Sequence, residues 1–471
     1  MLADELRAVL SEEQVLDSPL AAHLYAKDAG VYRGEPSIVV VPYDTAQVIA
    51  VVGIAARHRV PIVARGAGTG LAAGAVPVGK SIVLSTTRLN RIYEIDGINH
   101  TAWVGPGVIN LDLTRAVAHL GLHFAPDPSS QSACTIGGNV ANNSGGPHCL
   151  AEGSTVNHVL AIEFVTADGA LHTVGAASPD PIGLDLRGVL VGSEGTLGIV
   201  TRVLVKLTVD PPDVRTLLAS FTTVADAAAT VTGVIAAGVV PAALEMMDQL
   251  MTRAIENWLH AGLPIDAAAV LLAEVVGEPE AVEAEARLIE DIARQNSARQ
   301  VRIAADEVER ALLWKGRKSA FGAVAQAAPN YYLHDTVVPR TKLVTTMEEV
   351  YRVGERHGLT MLNVFHAGDG NLHPLIAFDA REPGMLDRVH AAANELVELC
   401  VRQGGTLSGE HGIGLEKRDL MPLQFGADDL AAQACIKSTF DPEGLLNPEK
   451  ILPRGVGFFD RAGPIPEGAW I

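Results

Sequence analysis

The sequence is poor in cysteine, in positive charge and in long apolar runs, and each shortage excludes a class of protein. Its four cysteines are scattered, without the CxxC spacing typical of an iron–sulfur cluster or a zinc ribbon. The formal net charge of −19 at pH 7 argues against nucleic acid and against an anionic membrane surface as partners. Runs of roughly 18 apolar residues, the length that a membrane-spanning helix needs, are also missing.

The start of the chain, MLADELRAVLSEEQV, is acidic and lacks the basic-then-apolar order of a signal peptide. Unclustered cysteines suit the reducing cytosol. We therefore expect a cytoplasmic protein without an integral membrane segment, and peripheral docking on the inner face of a membrane stays open as an alternative. A length of 471 residues predicts two or three domains.

The first glycine-rich segment is Arg65–Gly70, which directly follows a predicted strand. Its glycines leave backbone amides unshielded, so the loop could cradle a pyrophosphate. The strict GxGxxG fingerprint fails because Leu71 occupies the third glycine position. Too few residues follow for the crossover helix of a dinucleotide-binding βαβ unit. By itself, the loop is either an ordinary turn or an anion site.

A second segment, residues 125–146, has almost no periodicity and is rich in Pro, Gly, Ser and Asn. We expect a long functional loop without regular structure here. It contains TIGGN and NNSGG, which offer hydroxyl and amide donors, and GSEGTLGIVT at Gly192–Thr201 offers a third such group. Three glycine–hydroxyl segments in one domain favour the walls around a large phosphorylated cofactor.

Imidazoles and a carboxylate are concentrated in VFHAGDGNLH, at Val364–His373, and in GEHG, at Gly409–Gly412. The Asp-Gly pair between His366 and His373 predicts a tight turn that folds the two imidazoles toward each other. Imidazole together with a carboxylate suits zinc, manganese or iron. Ordinary polar loop residues are the alternative interpretation.

The second half of the chain alternates strands and helices, which predicts an α+β sheet with helices on one face, in a split βαβ arrangement. Pro211-Pro212 ends the first predicted domain. We expect domains at residues 1–212 and 213–425, and a C-terminal segment at 426–471 that returns to the first domain.

Six motifs follow one another along the chain: RGAGTGLAAGAVP, PSSQSACTIGGNVANNSGGPH, GSEGTLGIVT, HAGDGNLHP, SGEHGIG and DPEGLLNPEKIL. In this order they closely resemble the FAD-linked 2-hydroxyacid dehydrogenases of the vanillyl-alcohol-oxidase superfamily, and the likeness covers about residues 36–452. The family includes the FAD subunit of bacterial glycolate oxidase, D-lactate dehydrogenase and D-2-hydroxyglutarate dehydrogenase. The resemblance implies an α+β fold with a two-subdomain FAD-binding domain of the p-cresol methylhydroxylase (PCMH) type and a ferredoxin-like substrate (cap) domain.

The resemblance also implies FAD-dependent oxidation of a small D-2-hydroxy acid to the 2-keto acid, with hydride transfer to flavin N5. It makes His366, His373 and Glu410 ligands of a divalent metal (zinc, alternatively manganese or iron), His411 the base and Arg317 the group that binds the substrate carboxylate. The first loop has no histidine, which favours noncovalent FAD. The FAD-binding positions that the resemblance implies are Arg65, Gly66, Ala67, Gly68, Thr69, Gly70, Pro128, Ser129, Thr135, Gly138, Asn139, Asn142, Ser144, Gly195, Gly198, Val200 and Asn447.

Two departures from the family pattern matter. Ala67 replaces a glycine, which is tolerable if its φ is negative. Leu333 and His334 stand where D-2-hydroxyglutarate enzymes carry a substrate-binding lysine, which favours D-lactate or glycolate as substrate. D-2-hydroxyglutarate dehydrogenase, a flavin subunit of a larger oxidase complex and a metal-dependent hydrolase that binds a nucleotide remain alternatives. The expected electron acceptor is a quinone, an electron-transfer flavoprotein or a cytochrome, and a homodimer is left open.

Overall fold

The computed structural model describes residues 2–180, 183–325 and 328–455. The chain divides into two compact units. The first unit comprises Met1–Gly145, Ser154–Asp210 and Glu410–Ile471, and the second comprises Gly146–Gly153 and Pro211–Gly409. The sequence predicts that the chain returns to the first domain at residue 426, whereas the last segment of the first unit begins at residue 410. Residues 456–471 of the predicted C-terminal segment fall outside the described residues.

The helices and strands are numbered in chain order. The helices are α1 (Leu2–Val9), α2 (Pro19–Tyr25), α3 (Thr45–His58), α4 (Asn110–Val117), α5 (Ile136–Asn142), α6 (Cys149–Glu152), α7 (Leu186–Leu190), α8 (Val224–Ala236), α9 (Gln249–Leu259), α10 (Pro279–Gln295), α11 (Glu307–Lys318), α12 (Ala320–Val324), α13 (Leu343–His357), α14 (Met385–Arg402) and α15 (Ala427–Phe440). The strands are β1 (Val15–Leu16), β2 (Ile38–Val40), β3 (Ile62–Arg65), β4 (Ile82–Ser85), β5 (Ile92–Asp96), β6 (Thr101–Val104), β7 (Leu122–His123), β8 (Val159–Val165), β9 (Leu171–Gly175), β10 (Ile199–Lys206), β11 (Thr208–Val209), β12 (Asp213–Phe221), β13 (Ala243–Asp248), β14 (Ala269–Gly277), β15 (Gln300–Ile303), β16 (Asn330–Leu333), β17 (Thr336–Val337), β18 (Thr360–His366), β19 (Asn371–Leu372) and β20 (Pro374–Phe378).

The first sheet of the first unit has the order β1-β2-β4-β3 among the described residues, and β4 pairs in parallel with both β2 and β3. Helix α3 covers it with a buried stripe that includes Val48, Val51 and Val52. Its first turn is capped by Asp44, whose side chain accepts a hydrogen bond from the Gln47 amide. This sheet carries β3 to the start of the first glycine-rich loop.

The second sheet of the first unit is antiparallel, in the order β5-β6-β10-β8-β9. The sequence pattern predicts one long strand over residues 199–209, and this prediction is wrong. The strand breaks at Leu207, whose amide donates to the His100 carbonyl, and Thr208–Val209 pairs instead with β7. The short β11 therefore belongs to a separate ladder.

The predicted loop at residues 125–146 contains a helix, α5, so the expectation of no regular structure is wrong for its second half. Thr135 caps the helix by accepting a hydrogen bond from the Gly138 amide. A Cβ on Gly137 would lie 2.5 Å from the Pro106 Cβ, so the close packing of α5 requires glycine there. The glycines that lower the helix propensity of this segment also allow the helix to pack closely.

The second unit contains a large sheet with the main order β15-β12-β14-β13-β18-β19-β17 among the described residues, and β20 pairs with both β16 and β18. Among the described residues, the strand pairings in this unit are antiparallel. Helices α8 and α10 pack on it through apolar side chains that include Val231 and Ile289, against strand residues that include Phe221 and Phe365. The sequence interpretation missed β13 and β15. In the described part of the chain, no helix is long and apolar enough to cross a lipid bilayer.

Glu274, on β14, is the centre of a buried polar cluster of the second unit. Its carboxylate accepts hydrogen bonds from Thr216 Oγ1 at 2.5 Å, from Trp314 Nε1 at 2.5 Å and from two nitrogens of Arg310 at 2.9 and 3.0 Å. Burial by itself would raise the pKa of Glu274, but a hydrogen bond with His148 Nε2, the other hydrogen bonds and the Arg310 charge outweigh it and lower the pKa to about 2. The ionised carboxylate is therefore strongly favoured in the fold.

Replacing Glu274 with Gln should lower the free energy of unfolding by about 3 kcal/mol at pH 7, because Arg310 would lose its buried counter-charge. Since the pKa is depressed in the folded state, the wild-type advantage should be full above the ordinary glutamate pKa and should disappear as the pH falls toward 2. Chemical denaturation across this pH range measures both effects. The matched control is Glu283→Gln, which removes an exposed ion pair with Arg287 and should cost less than about 1 kcal/mol. Equal losses in the two variants would contradict this account.

Candidate active site

The first glycine-rich loop follows β3 and packs against the start of α5 within the first unit. A Cβ on Gly66 would lie 2.4 Å from Thr135 Oγ1, so the two backbones approach more closely than a side chain allows. Gly68 has a φ of +73°, and a Cβ there would lie 2.0 Å from Arg65 Nη2. Ala67 is not among the residues with positive φ, which meets the condition for its replacing a glycine.

Arg65 is buried beside this loop, with its guanidinium carbon 5.5 Å from the ring centre of Tyr25. Its Nη1 atom is buried and has no hydrogen-bond partner among the described residues. Nearby, burial raises the pKa of Asp28 to about 6, and the positive charge of Arg65 acts against that rise. A buried cationic donor next to exposed loop amides fits a ligand with phosphate groups.

The third glycine-rich segment, Gly192–Thr201, contacts the end of α5. The Gly192 and Glu194 amides donate to the carbonyls of Val140 and Ala141 at the end of α5, both at 2.8 Å. A Cβ on Gly195, whose φ is +71°, would lie 3.5 Å from the Ala64 Cβ. The three segments that the sequence singles out as cofactor walls therefore meet around α5.

Several of the predicted cofactor positions have structural partners within the first unit. Asn447 donates from its amide to the carbonyls of Gly74 and Glu194, at 2.8 and 2.6 Å. Asn139 accepts a hydrogen bond from Asn110 at 2.9 Å, so its side chain ties α5 to α4. The Ser144 carbonyl accepts from Thr155 Oγ1 at 2.7 Å.

The other predicted cofactor positions lie in or beside the three segments. A Cβ on Gly198 would lie 2.5 Å from a ring carbon of Phe164. Val200 on β10 pairs with Phe164 on β8. Thr69 and Gly70 complete the first loop, and Pro128 and Ser129 are half-buried ahead of α5.

Glu194 fixes the segment that begins with Glu410 and His411. One carboxylate oxygen accepts from the Ile413 amide at 2.7 Å, and the other accepts from the Gly414 amide at 2.9 Å. Burial raises the pKa of Glu194 to about 7, although these hydrogen bonds act to lower it. The His411 carbonyl accepts from Asn142 Nδ2 at 2.8 Å, so a predicted cofactor residue also fixes the backbone of the predicted base.

In the second unit, His366 ends β18 and His373 follows β19, with the predicted turn between them. The Gly370 amide closes this turn on the His366 carbonyl at 3.2 Å, and Gly370 has a φ of +81°. A Cβ on Gly370 would lie 2.1 Å from the Val338 carbonyl oxygen, so only glycine fits. The two imidazole centres lie 5.0 Å apart and edge to face, which confirms that the turn brings the two rings together.

Both imidazoles direct Nδ1 at an oxygen that can only accept. His366 Nδ1 lies 2.7 Å from Glu245 Oε1, and His373 Nδ1 lies 3.3 Å from the His334 carbonyl. Burial would raise the pKa of Glu245, but Arg317 and His366 outweigh it and lower the pKa, so Glu245 is an ionised acceptor. An acceptor at Nδ1 favours the tautomer in which Nδ1 carries the hydrogen and Nε2 is the acceptor nitrogen.

Arg317 lies in the same polar core. Its side chain is 0% exposed, and its Nε and Nη2 atoms lie 2.6 and 2.5 Å from Glu245 Oε2. Arg317 Nη1 is buried without a hydrogen-bond partner within the described ranges. The predicted carboxylate-binding arginine therefore pairs with Glu245 through one edge and keeps one nitrogen for another anion.

Asp335 connects His373 to the end of the second unit. Its Oδ1 lies 3.8 Å from His373 Nδ1, and its Oδ2 accepts from Ser408 Oγ at 2.5 Å and from the Gly409 amide at 2.9 Å. A Cβ on Gly409 would lie 2.4 Å from the Asn371 amide group, so glycine is required at this contact.

The structure thus gathers His366, His373 and Arg317 in the second unit, whereas Glu410 and His411 open the last segment of the first unit. The sequence interpretation missed the three carboxylates that orient these groups, Glu194, Glu245 and Asp335. Glu194 lies inside the quoted GSEGTLGIVT motif, so a signal existed for it. Glu245 lies in no motif.

Two family models match the chain. The model described as "FAD binding domain" matches residues 36–175, and the model described as "FAD linked oxidases, C-terminal domain" matches residues 210–451. Together they cover the glycine-rich segments of residues 65–146 and both histidine motifs.

The chain is also similar to named proteins along most of its length. It is 48% identical to the glycolate oxidase subunit GlcD of Escherichia coli strain K12, over 90% of this chain and 85% of that protein. It is 34% identical to a D-lactate dehydrogenase of Archaeoglobus fulgidus, over 89% of this chain and 92% of that protein. Among solved structures, p-cresol methylhydroxylase with substrate bound aligns with a TM-score of 0.83 at 19% identity, over 96% of both chains. That likeness confirms the predicted fold class, and the FAD-binding match confirms FAD as cofactor.

Replacing Gly68 with Ala should strongly lower the FAD content of the purified protein. The new methyl group would occupy the place of Arg65 Nη2, which lies 2.0 Å from the Cβ position, and displace the buried guanidinium. The ratio of flavin to protein absorbance measures the loss.

Gly79→Ala is the matched control, because Gly79 also has positive φ (+59°) but no atom lies within 4 Å of its Cβ position. Both variants carry the backbone cost of about 1–2 kcal/mol for a left-handed alanine. Only Gly68→Ala should lose FAD. Equal FAD content in the two variants would show that the position of Arg65 does not matter for cofactor binding.

Proposed function

Because the chain belongs to the family of FAD-linked oxidases, we propose that it oxidises a small D-2-hydroxy acid, D-lactate or glycolate, to the 2-keto acid with metal assistance. An FAD-linked oxidoreductase acting on CH–OH groups needs a site that binds the acid, holds its hydroxyl oxygen and removes one proton. The relatives named above are named for glycolate and for D-lactate. The residues described above offer a group for each task.

The observation that carries the proposal is the pairing of His366 and His373. Two buried rings lie 5.0 Å apart, each with Nδ1 directed at an acceptor, and Nε2 of each ring is the proposed ligand atom. Such a donor pair fits a borderline divalent metal, and the hydrogen bond on the second nitrogen is the usual arrangement for a ligating histidine. Zinc is the first candidate, and manganese and iron are alternatives.

Glu410 is the proposed third ligand. It follows Gly409 in the sequence, and Gly409 is held by Asp335, whose other oxygen lies close to His373. A carboxylate added to two imidazoles gives the His₂Glu ligand set that leaves a position open in metalloenzymes. Glu410 is thus proposed as a metal ligand for two reasons, the position of Gly409 before it in the chain and the chemistry of its carboxylate.

The other residues divide the work on the substrate. Arg317 Nη1 binds the substrate carboxylate, since its two other donor atoms are engaged with Glu245. His411 takes the hydroxyl proton as the C2 hydrogen leaves with its electron pair, so the alcohol loses one proton and one hydride. When bound, the metal lowers the pKa of the hydroxyl and FAD supplies the hydride acceptor.

A small substrate is favoured by the residues at positions 333 and 334. His334 is fully buried, and its Nε2 lies 3.1 Å from the Ala393 carbonyl. Leu333 is buried as well. Neither residue offers a cation for a second carboxylate, so lactate or glycolate fits better than hydroxyglutarate.

The test is anaerobic mixing of the purified flavoprotein with glycolate, D-lactate, L-lactate and D-2-hydroxyglutarate. Flavin absorbance should bleach with glycolate or D-lactate, should fail to bleach after a chelator has removed the metal, and should bleach again after zinc or manganese is added. Full bleaching by the metal-free protein would overturn the metal assignment. No bleaching with any of the four acids would overturn the proposed substrate class.

His411→Ala should keep FAD bound and slow flavin reduction by about a hundredfold or more, which is the usual effect of losing an acid–base group. Stopped-flow absorbance under anaerobic conditions gives the rate. His119→Ala, at an exposed histidine of the same unit, should reduce at the wild-type rate. An unchanged rate in His411→Ala would remove this residue from the proposed mechanism.

A further inference from the structure

We infer that Glu245 is a positioning residue that holds a metal ligand and the substrate-binding guanidinium on its two carboxylate oxygens. This inference rests on the proposed function and extends it to a residue that no sequence motif marks. It predicts that metal binding and substrate binding depend on a single buried carboxylate.

The contacts of Glu245 are divided between its oxygens. Oε1 lies 2.7 Å from His366 Nδ1, and Oε2 lies 2.6 Å from Arg317 Nε and 2.5 Å from Arg317 Nη2. The side chains of Glu245 and Arg317 are 0% exposed and that of His366 is 6% exposed. Water therefore cannot replace either contact easily.

The backbone fixes this geometry. Glu245 on β13 stands directly opposite His366 on β18 in the antiparallel ladder, and the register continues through Met246 opposite Phe365. Arg317 reaches the carboxylate from α11, which packs against α9. A sheet pair and a packed helix thus set the three side chains before any ligand binds.

Two consequences follow for the site. The Glu245 hydrogen bond selects the His366 tautomer that leaves Nε2 for the metal. The same carboxylate occupies one edge of the guanidinium, so Arg317 can meet the substrate carboxylate only through Nη1. Loss of Glu245 should therefore weaken metal binding and also let Arg317 turn away from the substrate.

The alternative is a purely structural ion pair, and the chain contains a matched example. Glu274, on the neighbouring strand β14, is equally buried and pairs with Arg310, but its hydrogen bonds go to Thr216, Trp314, Arg310 and His148 rather than to His366 or His373. A Glu274→Gln variant should lose stability without any change in metal affinity. Glu245→Gln should change both.

The experiment is a zinc titration of metal-free wild-type protein, Glu245→Gln and Glu274→Gln, all with FAD bound, in competition with a chelating indicator. Glu245→Gln should bind zinc about 10–100-fold more weakly, which is the usual effect of removing the partner of a ligating histidine. Its KM for D-lactate, measured with saturating zinc, should rise more than its kcat falls. Glu274→Gln should keep the wild-type zinc affinity.

A second variant covers the case in which Glu245→Gln fails to fold because Arg317 is left without a counter-charge. The double variant Glu245→Gln, Arg317→Gln removes both charges and should fold, and it should show the same weakening of zinc binding. Wild-type zinc affinity in either folded Glu245 variant would overturn the inference and leave the proposed function intact. Failure of the wild-type protein itself to bind zinc or manganese would instead overturn the metal assignment.

Discussion

The chemistry proposed for the second unit depends on one kind of interaction. This is the hydrogen bond from Nδ1 of His366 and of His373 to a buried oxygen. A neutral imidazole has one donor and one acceptor nitrogen, so an acceptor at Nδ1 makes Nε2 the nitrogen that can act as the proposed metal ligand. Glu245 provides this acceptor for His366 and the His334 carbonyl provides it for His373. The turn at Gly370 only brings the rings together, whereas the acceptors determine what the rings can bind.

In the first unit, a comparable role falls to Glu194. Its carboxylate holds the amides of Ile413 and Gly414, its own amide is bound to Ala141 of α5, and its carbonyl accepts from Asn447. One residue thereby joins the helix between the glycine-rich segments to the segment that carries the proposed base. These contacts give Glu194 a structural role within a segment that is otherwise rich in glycine and hydroxyl groups.

Sequence reasoning succeeded where the chemistry is local and failed where it depends on distant partners. The turn that brings His366 and His373 together follows from the Asp-Gly signal between them. Strand β13 was missed because Glu245 interrupts an apolar run that ends in two methionines, which leaves no strand alternation to read. The partners of Glu245 are Arg317 and His366, the latter 121 residues away, so only the folded structure shows that the carboxylate has a counter-charge and a hydrogen-bond donor. Helix α5 was missed because its glycines serve packing against Pro106 rather than helix propensity.

The pairing of Arg317 with Glu245 also limits which substrate the second unit can bind. Because the guanidinium charge is already balanced by a buried carboxylate, it attracts an anionic substrate less than an unpaired arginine would. In the proposed site, most of the positive charge that attracts a carboxylate would then come from the metal, which would also act on the neighbouring hydroxyl. A ligand that offers a carboxylate and an adjacent hydroxyl would use both features at once, and the one remaining nitrogen of Arg317 matches one carboxylate rather than two. The charge balance of this buried cluster is therefore consistent with the proposed 2-hydroxy monocarboxylate substrate.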